Sequence, residues 1–86
     1  MKTTQEKTTE RSTVGKVLPV VIERGEDGYY IVECPALDGA FTQGKTLDEA
    51  MHNIREVIEL ILEEPEAQEL LQGYNPKELS LHTITL

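Results

Sequence analysis

The sequence has few of the residues from which cross-links and reactive sites are made. It holds one cysteine, two histidines and no tryptophan among 86 residues. A lone cysteine excludes an internal disulfide, so we expect a reducing, cytoplasmic location. No apolar run approaches the roughly 20 residues of a membrane span, and the first residues lack the apolar segment of a secretory signal. These absences predict one small cytoplasmic domain away from membranes.

Basic residues are scarce as well, and the excess of acids is concentrated in one region. The chain carries a formal net charge of −8, and residues 48–69 hold eight acids and one base, which gives −7. A surface of this sign repels phosphate, so direct binding of nucleic acid through it is disfavoured. The same surface could attract a basic protein, or it could be a solvated face that keeps the domain in solution.

One amphipathic helix, over residues 46–64, organises the rest of the chain. Thr46 followed by Glu49 is the pattern of a helix capping box. Seven apolar side chains then share one arc of roughly 140°, and they are Leu47, Ala50, Met51, Ile54, Val57, Ile58 and Ile61. The pattern predicts a helix with a single buried face, and acids on the other side.

Runs of β-branched and aromatic residues ahead of the helix predict an antiparallel meander. Its strands are expected at residues 14–24, 29–34 and 40–43. Asp27-Gly28 is a strong hairpin signal, and Leu37-Asp38-Gly39 is a surface turn. Pro19 cannot donate a ladder hydrogen bond, so it needs an edge position or a bulge.

The region after the helix predicts a short helix at residues 66–72 and a last strand at residues 79–86. The order β-β-β-α-α-β is that of a two-layer α+β domain over residues 14–86. Residues 1–13 are almost devoid of apolar side chains, which is typical of a disordered tail. One helix layer covers only one sheet face, and the other face carries Val17, Val21 and, depending on register, Ile84 or Leu81. This predicts a homo-oligomer, a dimer or higher, with the sheet face or a strand edge in the contact.

The chemically suggestive residues do not assemble into a reactive site. Cys34 precedes Pro35 in a strand without a base placed near it, so a buried structural cysteine is expected. His52 is four residues from Asp48 and from Glu56, which favours surface ion pairing over metal binding. His82 is expected to face solvent or a partner. We therefore predict no enzyme activity, no metal site and no cofactor.

Residues 27–60 resemble the N-terminal domain of the HicB antitoxin family. The shared features are an aromatic pair after Asp-Gly, a strand ending near proline, a Leu-x-Gly turn, a Thr-x-Gly-x-Thr stretch and a Glu-Ala-x-x-Asn helix. In this sequence they are Asp27, Gly28, Tyr29, Tyr30, Pro35, Leu37, Gly39, Thr42, Gly44, Thr46, Glu49, Ala50 and Asn53. The resemblance covers about half of the chain, and its ordered combination is fairly specific.

The resemblance implies a partial RNase H-like fold without nuclease carboxylates. It also implies that the domain binds and neutralises a small basic, mRNA-cleaving HicA-type toxin. The alternative is a stand-alone oligomeric binding protein of the same fold with no toxin partner. Members of the family often carry a C-terminal DNA-binding segment, and none follows the last predicted strand here, so direct DNA binding is not expected.

The partner surface is expected where the loops of the meander converge. Its predicted residues are Asp27, Tyr29, Leu37, Asp38 and Phe41. Exposed aromatic and apolar side chains beside acids are typical anchors for another protein.

Overall fold

A three-stranded antiparallel sheet forms the first layer of the protein. The computed structural model describes residues 15–86, and its strands are β1 (Val21–Arg24), β2 (Tyr30–Glu33) and β3 (Phe41–Gly44). They lie in the order β1-β2-β3, which confirms the predicted meander. The predicted tail at residues 1–13 lies outside the described residues.

The first connection is the predicted hairpin. The Gly28 N–H donates to the Gly25 carbonyl at 3.0 Å, and the Gly25 N–H donates to the Tyr29 carbonyl at 2.9 Å. Gly28 has φ of +88°, a left-handed conformation that glycine adopts without a steric cost. Asp27-Gly28 therefore reverses the chain as its sequence predicts.

Two helices form the second layer, namely α1 (Leu47–Ile61) and α2 (Pro65–Gln72). The Thr46 hydroxyl accepts a hydrogen bond from the Glu49 N–H at 3.0 Å, so Thr46 caps α1 as predicted. The Glu49 carboxylate accepts from the N–H of Lys45, one residue before the position that a capping box would use. Pro65 occupies the first turn of α2, where its missing N–H costs nothing.

The core lies between α1 and the sheet. Its buried members are Val32, Cys34, Leu37, Ala40, Ala50 and Ile54. Val57, Ile58 and Ile61 pack against this cluster from α1, so most of the predicted arc is covered. Leu47 and Met51, at the beginning of the same arc, are exposed. The predicted buried face is therefore confirmed for the middle and the end of the helix.

The end of β3 approaches the first turns of α1 very closely. A Cβ atom added to Gly44 would lie 2.5 Å from the backbone nitrogen of Ala50 and 2.9 Å from its Cα. Both partners are small residues, which is what lets the helix backbone rest on the strand. Asn53 ties the same elements together, because its Nδ2 donates to the Gln43 carbonyl at 2.8 Å.

The ladders are shorter than the sequence predicts, and the last predicted strand does not form. Residues 15–20 precede the ladder, so Pro19 lies upstream of the paired residues. Residues 75–86 contain neither helix nor strand, and they make no backbone hydrogen bond to the rest of the described chain. Strand-forming composition is not sufficient, since a strand also needs a neighbour that supplies the ladder. The α+β class is confirmed, whereas the RNase H-like detail stays a prediction.

Replacing Gly44 by alanine tests the close approach of strand and helix. We expect Gly44→Ala to lower the free energy of unfolding by about 1–3 kcal/mol, because backbone atoms must move to admit the methyl group. Urea denaturation measures the change. Gly73→Ala is the matched control, since an added Cβ would meet its nearest atom, the Leu70 carbonyl oxygen, at 3.8 Å. Equal stabilities of the two variants would contradict the predicted clash.

Candidate partner-binding surface

The five residues predicted to border a partner surface do not lie together. Asp27 and Tyr29 belong to the hairpin before β2, whereas Leu37, Asp38 and Phe41 follow β2. Consecutive turns of an antiparallel meander lie at opposite ends of the sheet, separated by roughly 3.3 Å for each strand residue. The expectation that the loops converge is therefore wrong for the set as a whole.

At the hairpin end, the predicted residues stabilise the turn itself. The Asp27 carboxylate accepts a hydrogen bond from the Tyr29 N–H at 3.0 Å, an Asx-type contact that is common in turns. Tyr29 is half-buried. Tyr30 packs against the core, and the Arg24 guanidinium lies 5.4 Å from the centre of its ring. Asp27 remains exposed and available to a partner.

At the other end, Leu37 and Phe41 have different roles. Leu37 is only 4% exposed and belongs to the core cluster, which corrects the expectation that it is a surface contact. The sequence Leu-Asp-Gly predicted a turn, but it gave no sign that the turn folds its leucine inward. Asp38 is exposed. Phe41, the one phenylalanine in the sequence, is 65% exposed, which is unusual for a large apolar side chain.

Phe41 belongs to an uncovered sheet face, here named the open face. It comprises Val21, Glu23, Ile31, Glu33, Phe41 and Gln43. The register aligns Val21, Glu33 and Phe41 in one row across the strands and Glu23, Ile31 and Gln43 in the next. Their neighbours along each strand point into the core, as the two-residue period of a strand requires.

The open face is partly apolar and partly acidic. Ile31 is 47% exposed although Val32 beside it is fully buried. Across the strands, Glu33 lies between Val21 and Phe41, and Glu23 lies beside Ile31. Each glutamate of the open face therefore adjoins an apolar side chain. The alternation of residues along the first strand had predicted that Val21 lies on the sheet face away from the helix. Ile31 and Glu33 could be added only once the register was known, because a shift of one residue exchanges the two faces.

The acids of the helical layer form a second exposed surface. His52 Nε2 lies 3.2 Å from a Glu56 carboxylate oxygen, and Arg55 Nε lies 3.5 Å from Glu59. The contact expected between His52 and Glu56 on the helix surface is therefore present. Glu63, Glu64 and Glu69 are exposed and make no salt bridge among residues 15–86. The acidity predicted from the sequence thus faces solvent.

The side chains that could in principle act in catalysis or bind a metal lie in surroundings that do not activate them. Cys34 is fully buried, and burial raises the pKa of its thiol, which disfavours the nucleophilic thiolate. His82 Nε2 lies 2.8 Å from the Ser80 hydroxyl, the one side-chain hydrogen bond of this ring to another residue in 15–86. Among residues 15–86, no three side chains of His, Cys, Asp or Glu gather as metal ligands would.

Thiol labelling tests the burial of Cys34. We expect an aromatic disulfide reagent to modify the native protein at least about 100-fold more slowly than the urea-unfolded chain, because labelling requires local opening. Absorbance of the released thiolate measures both rates. The unfolded chain is its own control, since it carries the same single thiol. Comparable rates in the two states would show that the thiol is accessible.

Comparison with known proteins identifies related sequences. A family profile described as the HicB_like antitoxin of bacterial toxin–antitoxin systems matches residues 18–82. A UPF0150 protein of Synechocystis sp. is 61% identical over 49 residues, which cover 57% of this chain and 71% of that protein. A UPF0150 protein of Thermoplasma acidophilum is 45% identical over 64 residues, 73% of this chain and 93% of that protein. No solved structure gives a significant match.

The matched region contains all the elements described above. It begins at Leu18, before β1, and extends beyond α2 to His82. It therefore includes the whole open face and the acidic helices. Neither helix within residues 15–86 has the length and apolar character needed to span a bilayer.

Proposed function

We propose, because this chain belongs to the HicB-like antitoxin family of bacterial toxin–antitoxin systems, that it binds and neutralises a small basic toxin that cleaves mRNA. Neutralisation works by covering the toxin's surface and requires no catalysis by this chain. Since mRNA is the toxin's substrate, the complex acts in the cytoplasm. The family membership supplies the class of partner, and the surfaces of the domain indicate how such a partner would be held.

The open face is the observation that carries the proposal. It exposes Phe41 and Ile31 on a rigid sheet, and binding energy concentrates in large apolar anchors that become fully desolvated on association. Glu23 and Glu33 flank these anchors. A basic protein can therefore place apolar contacts at the centre and its cationic side chains beside the two carboxylates.

Charge supports the same choice of partner. The net charge of −8 and the exposed acids of α1 and α2 repel RNA but accelerate the approach of a cationic protein. Surface charge of this kind acts mainly on the rate of association. The antitoxin would thus compete with RNA for the basic surface of the toxin.

Removing the aromatic anchor tests the open face. We expect Phe41→Ala to weaken binding of a small basic HicA-type toxin by about 2 kcal/mol, roughly 30-fold. Isothermal titration calorimetry measures the affinity, and rescue of growth in cells expressing the toxin measures neutralisation. Leu70→Ala is the matched control, because Leu70 is equally exposed, at 65%, but lies on α2.

Three results would argue against this proposal. Equal affinities of the Phe41→Ala and Leu70→Ala variants for the toxin would show that the toxin does not contact the open face. Failure of the unmodified chain to bind or rescue would favour the stand-alone oligomeric binding protein. A wild-type chain that itself cleaves RNA would exclude a purely inhibitory role.

Neutralising the flanking acids tests the electrostatic part of the contact. We expect the double variant Glu23→Gln, Glu33→Gln to lower the association rate by about 3- to 10-fold at low salt, and less at high salt, because screening removes long-range attraction. Surface plasmon resonance at two ionic strengths measures both rates. The double variant Glu63→Gln, Glu64→Gln changes the net charge equally at the other layer. A similar loss in both variants would show that overall charge, rather than the open face, guides the toxin.

A further inference from the structure

Residues 79–86 have the composition of a strand, but they do not pair with the sheet. They contain four large aliphatic side chains and three threonine or serine residues, a composition that favours strands. Leu81 and Ile84 are 78% and 84% exposed. No backbone group of this segment bonds to another described residue. Exposed apolar side chains beside unpaired backbone groups form an arrangement that a neighbouring strand would stabilise.

One edge of the sheet lacks a neighbour as well. β1 pairs with β2 on one side, and no described strand pairs with its other side. The residues that lead into β1 and begin it, at positions 17–22, are all apolar. Glu23 and Arg24 place charged side chains at the far end of β1, whereas positions 17–22 carry none of the charged side chains with which natural proteins commonly protect edge strands.

The segment passes its own β1 without pairing with it. Pro19, Val20, Val21 and Ile22 line a groove of about 520 Å³ together with Leu79, Ser80 and Leu81. Lys16 Nζ donates to the carbonyl oxygens of Gln72 at 3.4 Å and Tyr74 at 3.0 Å, which fixes the exit of α2 beside the residues that precede β1. Within one chain, strand and edge are therefore adjacent but not hydrogen-bonded.

We propose that residues 79–86 of one chain add as a fourth strand to the β1 edge of a second copy, and that the second copy does the same in return. A two-fold dimer requires such reciprocity, since each chain carries both the donated strand and the accepting edge. The exchange pairs backbone groups on both sides. It also covers the exposed leucines and isoleucine of the segment.

The charge pattern favours a second copy as the occupant. Two chains of net charge −8 repel each other over most of their surfaces. Positions 17–22 contain no charged residue, and residues 79–86 contain none apart from the titratable His82. The proposed contact therefore joins the stretches where two acidic chains can approach with the least repulsion.

A proline substitution within the segment tests this dimer. Thr83→Pro removes one N–H and obstructs pairing, so we expect the dissociation constant of the dimer to rise at least about tenfold. Sedimentation velocity over a range of concentrations measures it. Lys77→Pro is the matched control, because Lys77 precedes the segment and its N–H also lacks a backbone partner among described residues. Circular dichroism verifies that both variants remain folded.

Hydrogen exchange distinguishes a second copy from the chain's own edge. We expect protection of the amides of residues 79–86 to increase with protein concentration, in step with dimer formation. A wild-type monomer at all concentrations would overturn the proposal. So would a monomer with protected amides, which would indicate pairing with its own β1, and so would a Thr83→Pro dimer as stable as the wild type.

Discussion

The contact between the end of β3 and the beginning of α1 determines the rest of the structure. Gly44 and Ala50 bring the two backbones together, and Asn53 holds them in register through the Gln43 carbonyl. This places Ile54 over Val32 and Cys34, so that α1 lies flat on one face of the sheet. Because a three-stranded sheet is narrow, one helix suffices to cover that face.

The same arrangement leaves the opposite face uncovered. Among residues 15–86 the helices are α1 and α2, and the exposed side chains of the open face show that neither covers it. An uncovered sheet normally presents polar side chains to water. Here Ile31 and Phe41 interrupt that pattern, and this departure from a solvated face is a reason to regard the open face as an interaction surface.

Local sequence rules predicted the features that depend on a few neighbouring residues. The Thr46 cap, the Asp27-Gly28 hairpin and the buried arc of α1 all follow from spacing within one turn or one helix. The predictions that were wrong concern features that depend on contacts between distant parts of the chain. Leu37 is buried because of how its turn packs on the core, and residues 79–86 lie beside β1 without pairing with it. The residues of the partner surface were predicted from the loops. The exposed apolar residues of the open face, Ile31 and Phe41, lie instead on strands, and the sequence does not state the register of those strands.

The two proposed contacts use different parts of the same sheet. Strand addition uses the backbone groups at the β1 edge, whereas toxin binding uses side chains that project from the open face, perpendicular to that edge. A fourth strand beside β1 would widen the sheet and extend the surface that begins at Val21. Each subunit of a dimer would then keep its Phe41 accessible, so self-association and capture of a basic partner are structurally compatible. In the two proposals, therefore, one sheet would provide an edge for a second copy and a face for a toxin.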